Sequence, residues 1–199
     1  MDNLHPLESK VLLALTRQPD APPTLDQLAA STGLEPSQLS MAVEWLLAKS
    51  LIAVQAETVA HIASLTPIGE LFFEKYAPIE RVLSAAREAG QTGKRLTIQD
   101  IQAKEALEPS DVSKAVGTLK KEGAILIVQG GCIESTGRNS ATAEAMRSLL
   151  QELRSGQREL QSFPEPLRSV LQQHAVKRGN AREPFRIDER VTRSFVLTP

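Results

Sequence analysis

The chain has one cysteine, Cys132, in 199 residues, which rules out an intrachain disulfide and a cysteine-based zinc site. Its three histidines, His5, His61 and His174, are scattered and make no metal-ligand spacing. Aromatic residues amount to only 4%, too few for a sheet that reads bases by stacking exposed Phe and Tyr. No apolar run approaches the ~18 residues of a membrane span, and the opening "MDNLHPLESK" contains acids and no apolar signal core. Neither "GRNS" nor "QGG" has the strand, glycine-rich loop and helix that cradle a phosphate. Nothing in the chain pairs a nucleophile with a base. A cytoplasmic protein with no catalytic residues in this stretch is the default expectation.

What is present is apolar content enough for cores, 41%, and an uneven charge. The net charge is −1, but residues 1–76 carry 4 basic and 9 acidic side chains, 77–136 carry 8 and 8, and 137–199 carry 11 and 7. A polyanion should therefore prefer the C-terminal third.

One stretch occurs twice: "LEPSQLSMAVEWL" at 34–46 and "LEPSDVSKAVGTL" at 107–119. Laying residues 24–54 on 97–127 without a gap gives 11 identities in 31 positions, among them Thr24/Thr97, Pro36/Pro109, Val43/Val116 and Ile52/Ile125. The periodicity predicts a helix over 7–17, stopped by "PDAPP". A second helix follows, with Thr24 as N-cap and Gln27 completing a capping box, then a turn at Gly33. A third helix runs from Pro36 to about Ser50. "LIAVQAE" and "VAHIASL" read as a β-hairpin, and "TPIGELFFEKYA" as a further helix. The second copy begins with the helix "IERVLSAAREAG" and ends in a hairpin of "AILIVQ", "GG" and "CIES".

Helix, helix, turn, helix and hairpin is the order of a winged helix-turn-helix domain. The expected fold is thus mainly α with small β-hairpins (α+β), as tandem winged helix-turn-helix domains. The expected domains are 1–76, 77–136 and 137–199. The last holds two amphipathic helices, "SATAEAMRSLLQELRSG" and "FPEPLRSVLQQHAVKRG", and a hairpin of "PFRID" and "TRSFVLTP", and reads as a third winged-helix-like unit. Thr198 and Pro199 echo Thr66-Pro67, a helix start with no helix after it, so a fragment of a longer protein is expected.

Winged helices bind nucleic acid with the second helix of the motif in a groove, and phosphates require exposed Lys or Arg. The first reading helix has Glu44 in mid-face and only Lys49 at its end, which suits protein contact. The second carries Lys114, Lys120 and Lys121, with Asp111 and Glu122 among them. The best basic series is Lys177, Arg178, Arg182, Arg186, Arg190 and Arg193. A DNA-binding regulator and a protein-interaction module stay open beside an RNA-binding region. Cys132, between Gly131 and Ile133, reads as packing.

The opening helix with Leu4, Leu7, Glu8, Val11, Leu12 and Leu15, the run Trp45, Leu46, Lys49 and Leu51, and the triplet Leu65, Thr66 and Gly69 resemble the N-terminal region of the archaeal/eukaryotic-type phenylalanyl-tRNA synthetase α subunit. The pattern departs at Ser50, where that family usually has a glycine C-cap. "FRIDE" at 185–189 is similar to the opening of a class II synthetase motif, but Asp188 stands in the acidic place and no second half follows. The resemblance implies a noncatalytic region that positions tRNA(Phe) for a class II domain outside this stretch. It also implies ATP and Mg as that domain's cofactors, none of them bound here, and a β subunit partner in an α2β2 assembly.

Overall fold

The computed structural model describes residues 4–17, 21–177 and 182–198. The chain divides into two units, each with its own apolar core. Unit 1 is residues 1–60 with 189–199, and unit 2 is residues 61–188. The boundaries at 60/61 and 188/189 differ from those expected at 76/77 and 136/137. The cause lies in the last strand, whose Phe195 is buried in the core of unit 1.

In unit 1, α1 (Pro6–Thr16), α2 (Leu25–Thr32) and α3 (Pro36–Ala48) follow one another and lead into strand β1 (Ile52–Leu65). The starts of α1 and α2 are set by capping boxes: His5 with Glu8, and Thr24 with Gln27. Val11, Leu28, Leu39, Val43, Leu46 and Ile52 form the core. Strand β6 (Phe185–Leu197) adds Phe195, whose amide donates to the Pro23 carbonyl at 3.1 Å.

Unit 2 opens with α4 (Pro67–Lys75) and then repeats the plan of unit 1. It has α5 (Pro78–Thr92), β2 (Leu96–Thr97), α6 (Ile98–Glu105), α7 (Pro109–Lys121), β3 (Ile125–Val128) and β4 (Cys132–Ser135). These three strands form a sheet in the order β2-β4-β3. Gly130 and Gly131, both at positive φ, turn β3 back on β4, with Val128 opposite Cys132. Then come α8 (Ala141–Arg154), β5 (Arg158–Glu159), a 3-10 turn at Leu160–Ser162 and α9 (Glu165–Gln173). The second sheet has the order β5-β1-β6.

The repeat is a repeat of structure. Leu28 and Ile101, Val43 and Val116, Leu46 and Leu119, and Ile52 and Ile125 are buried at equivalent places. Thr24 and Thr97 cap α2 and α6 alike. Backbone conformation repeats even where sequence does not. Gly33 and Ala106 are left-handed at φ 64° and 47°, and Ser50 and Gly123 at 56° and 69°.

Two expected hairpins are single strands. Residues 52–65 run without a turn, and so do 185–197. Neither "QAET" nor "ERV" contains the Gly, Asn or Pro that a tight turn needs, so each segment stays extended and pairs with the other.

The Thr66–Gly69 turn at the start of α4 is closed by the other end of unit 2. The Thr66 amide donates to the Pro184 carbonyl (3.0 Å), and its hydroxyl donates to the Glu183 carbonyl (2.8 Å). That hydroxyl also accepts the Gly69 amide at 3.2 Å. A Cβ on Gly69 would overlap the Pro184 carbonyl oxygen. Gly69→Ala should therefore cost about 1–3 kcal/mol, as overpacking of a closed site does, measured as a lowered urea midpoint. Ser50 pays for a left-handed conformation that its copy gives to glycine, so Ser50→Gly should raise stability by roughly 1 kcal/mol in the same assay.

Candidate nucleic-acid interface

Helix α7 buries Val112, Ala115, Val116 and Leu119 on one stripe, which turns Lys114, Lys120 and Lys121 outward. Lys120 and Lys121 lie in the last turn, where the helix C-terminus favours cations. Neither makes an ion pair with any described residue. Lys114 is committed: its Nζ lies 2.8 Å from Glu183 Oε1.

That pair borders a cleft of about 280 Å³, walled by Phe72, Ile79 and Met146 and rimmed by Asp111, Lys114, His174, Arg182 and Glu183. Glu183 is buried, and its other carboxylate oxygen is 3.5 Å from His174 Nδ1. Burial lowers the His174 pKa from its ordinary 6.5, and Lys114 lowers it further, against the opposing pull of Glu183. Burial raises the Asp111 pKa, while Lys114 and Arg182 draw it down. Opposite charges are matched around this cleft, so it does not concentrate anions.

The structure separates the C-terminal basic series. Arg178 lies outside the described residues. Lys177 is exposed just before them, and Arg182 is exposed at the rim of the cleft. On β6 the pleat puts Arg186 and Arg190 on one face with Asp188 between them, and Arg193 on the other. Arg193 is paired with Glu57, Nε to Oε2 at 2.6 Å. Arg186 belongs to unit 2, and Arg190 and Arg193 to unit 1. Among the described residues of the series, Lys120, Lys121, Lys177, Arg186 and Arg190 make no ion pair.

Two cations that the sequence reading passed over stand on α8. Arg147 lies 5.0 Å from the Phe73 ring centre and 4.7 Å from that of Tyr76, and donates to the Phe73 carbonyl at 3.0 Å. Arg154, seven residues on, lies 4.2 Å from the same Phe73 ring. Their spacing of seven on an amphipathic helix was the available signal. The guanidinium faces stack on rings, and no described carboxylate pairs with either.

The copy of this helix in unit 1 presents different chemistry. Helix α3 exposes Met41 and Trp45, one turn apart. Lys49, just after it, is held by Glu8, with Nζ 2.8 Å from Oε1 and 2.9 Å from Oε2. Glu8 is fully buried and also accepts the His5 amide at 2.6 Å. The Lys49 hydrogen bond and then the His5 amide hold its pKa below 4.5. The His5 ring meets Trp45 edge to face, 5.3 Å between centres. Leu4, His5, Glu8, Trp45 and Lys49 thus line one shallow site.

Among the described residues no three His, Cys, Asp or Glu side chains gather as metal ligands. No described helix is long and apolar enough to cross a membrane. The half-buried His174 makes stability depend on pH. Its folded pKa lies below the unfolded one, so the unfolded chain binds the extra proton, and stability is complete above 6.5 and falls on acidification through that value. His174→Gln should flatten the urea-unfolding profile between roughly pH 5 and 7.

No family model matches the chain. The chain is 34% identical over 98 residues to the phenylalanine–tRNA ligase alpha subunit of Thermococcus onnurineus (strain NA1). The match takes in 49% of this chain and 18% of that protein, so the chain spans less than a fifth of that relative's length.

Proposed function

We propose that the chain is a noncatalytic, tRNA-contacting region of a phenylalanine–tRNA ligase alpha subunit, built on two winged-helix units that have diverged in what they touch. The observation that carries this reading is the 34% identity to such a subunit. The residues that resemble the family are used structurally here. Glu8, Trp45 and Lys49 assemble one site in unit 1, and Thr66 and Gly69 close unit 2.

In this reading unit 2 faces the RNA. Lys120, Lys121, Lys177 and Arg186 supply cations free of carboxylate partners, and Lys114, Arg182 and the arginines of β6 in unit 1 are secondary contributors. The work is electrostatic and shape-directed: phosphate contacts hold tRNA(Phe) in place for a class II domain that would use ATP and Mg. The cytoplasm is the compartment where that work is done.

Filter binding of tRNA and of duplex DNA across a salt series tests it. The affinity for tRNA should fall with salt through several released counterions, at a slope of roughly 0.7–0.9 per phosphate contact. Replacing Lys120 and Lys121 by Ala should weaken tRNA binding and flatten that slope by about 1 to 2 without changing the melting temperature. Equal or tighter binding to the duplex would sink the proposal in favour of a DNA-binding regulator.

Unit 1 supports a second role. With Lys49 spent on Glu8, α3 offers Met41 and Trp45 and no free cation, a surface suited to protein. Docking to the β subunit is the partner role this fits. Met41→Glu should then reduce co-purification with a β subunit while leaving tRNA affinity unchanged.

A further inference from the structure

The cleft beside α7 lies wholly within unit 2, and its walls and rim select among ligands. Phe72, Ile79, Ala115 and Met146 make its interior apolar. An aromatic ring and a thioether are both favourable neighbours for another ring. An apolar cavity of about 150 Å³ holds a benzene, so the cleft's volume of about 280 Å³ has room for one ring or two fused rings.

The rim decides the charge of what can enter. Asp111 and Glu183 stand against Lys114 and Arg182, two charges of each sign, and above its lowered pKa His174 adds none. A charged ligand gains no net attraction from such a rim and gives up hydration against the apolar walls. An uncharged one keeps the full benefit of burial.

Two acceptors on the cleft lack a donor. His174 Nδ1 lies 3.5 Å from Glu183 Oε2, and a carboxylate there favours the tautomer with its proton on Nδ1. Nε2 is then an acceptor. It takes no hydrogen bond from any described residue, and it is not sealed from solvent. The Asp111 carboxylate likewise has no hydrogen bond or ion pair among the described residues, and burial raises its pKa. The imidazole is held in place beforehand, because Glu183 is fixed by Lys114 through its carboxylate and by the Thr66 hydroxyl through its carbonyl.

We propose that this cleft binds a small uncharged aromatic molecule carrying one N–H or O–H donor, an indole or a phenol, with its ring against Phe72 and Met146 and its donor on His174 Nε2. Neither Lys120 nor Lys121 lines the cleft, so the site stands whether or not RNA is the partner of those lysines.

The 199-residue chain with labelled methionine methyl groups, titrated with indole and followed by NMR, tests the site. Met146 reports the cleft, and Met41 reports the exposed face of α3 that also carries Trp45. Indole should shift the Met146 methyl saturably and leave Met41 unmoved. N-Methylindole keeps the rings without the N–H and should bind about tenfold more weakly. Benzoate and benzylamine, one ring with either charge, should give no saturable shift at the same concentrations. His174→Phe keeps a ring and removes the acceptor, so it should bind indole no better than the parent binds N-methylindole. A melting temperature near the parent's shows that this variant is folded, and the comparison of the two indoles on the parent needs no variant. A protonated imidazole cannot accept, so the parent's indole affinity should fall as pH drops below 6.5, and His174→Phe should abolish that dependence. The charged groups around the imidazole are Lys114, Lys177, Glu183 and Asp111. No saturable shift at Met146, a shift at Met41 in its place, equal affinity for the two indoles, or an indole affinity indifferent to His174→Phe would overturn the proposal.

Discussion

The start of α4 is the point on which unit 2 turns, because two stretches of backbone meet there with no side chain between them. Gly69 yields the space, the Thr66 amide and hydroxyl take the carbonyls of Pro184 and Glu183, and the chain that returns through Glu183 is fixed in direction. Several consequences follow from that one closure. The Glu183 side chain is delivered to Lys114 and His174, and Phe185, two residues on, enters the core. The outward face of α7 is thereby divided into a bound lysine and two free ones. A glycine and a threonine more than a hundred residues from Glu183 in sequence decide which cations that helix can offer.

The duplication shows how a fold is kept while its surface changes. The two copies share their N-cap threonines, the prolines in the first turns of α3 and α7, and the apolar stripe. Exposed positions are where the chemistry changes: Met41 of α3 corresponds to Lys114 of α7, and Ala48 to Lys121. Core positions are constrained by close packing in both copies, whereas an exposed position answers only to whatever touches it. The left-handed turns are an intermediate case. Ser50 and Ala106 hold a conformation that glycine holds in the other copy.

Much of this was legible in the sequence, and the parts that were not have physical reasons. Helices announced by caps and a 3.6-residue period sit where the pattern places them, and the Gly130-Gly131 turn is where its glycines are. The strands β1 and β6 were misread because a long β-prone run with mid-run polar residues looks like two short ones. Only the absence of a turn-forming residue at Ala56–Thr58 argues otherwise. Charge was misjudged in a different way. Counting arginines along 177–193 treats them as one patch, but the pleat, the Arg193–Glu57 pair and the division into two units separate them. Arg147 and Arg154 were overlooked because stacking on Phe73 depends on a helix remote in sequence.

The interruption of unit 1 by unit 2 also bears on the order in which the molecule can form. During synthesis every core residue of unit 2 has left the ribosome once Phe185 has emerged. Unit 1, begun first, lacks Phe195 and the β6 residues that meet Pro23 and Thr24 until the residues after unit 2 are made. The usual N-to-C order of vectorial folding is therefore inverted. The later domain can settle first, and the earlier one waits with Leu28, Val43 and Leu46 incompletely covered until its final strand arrives.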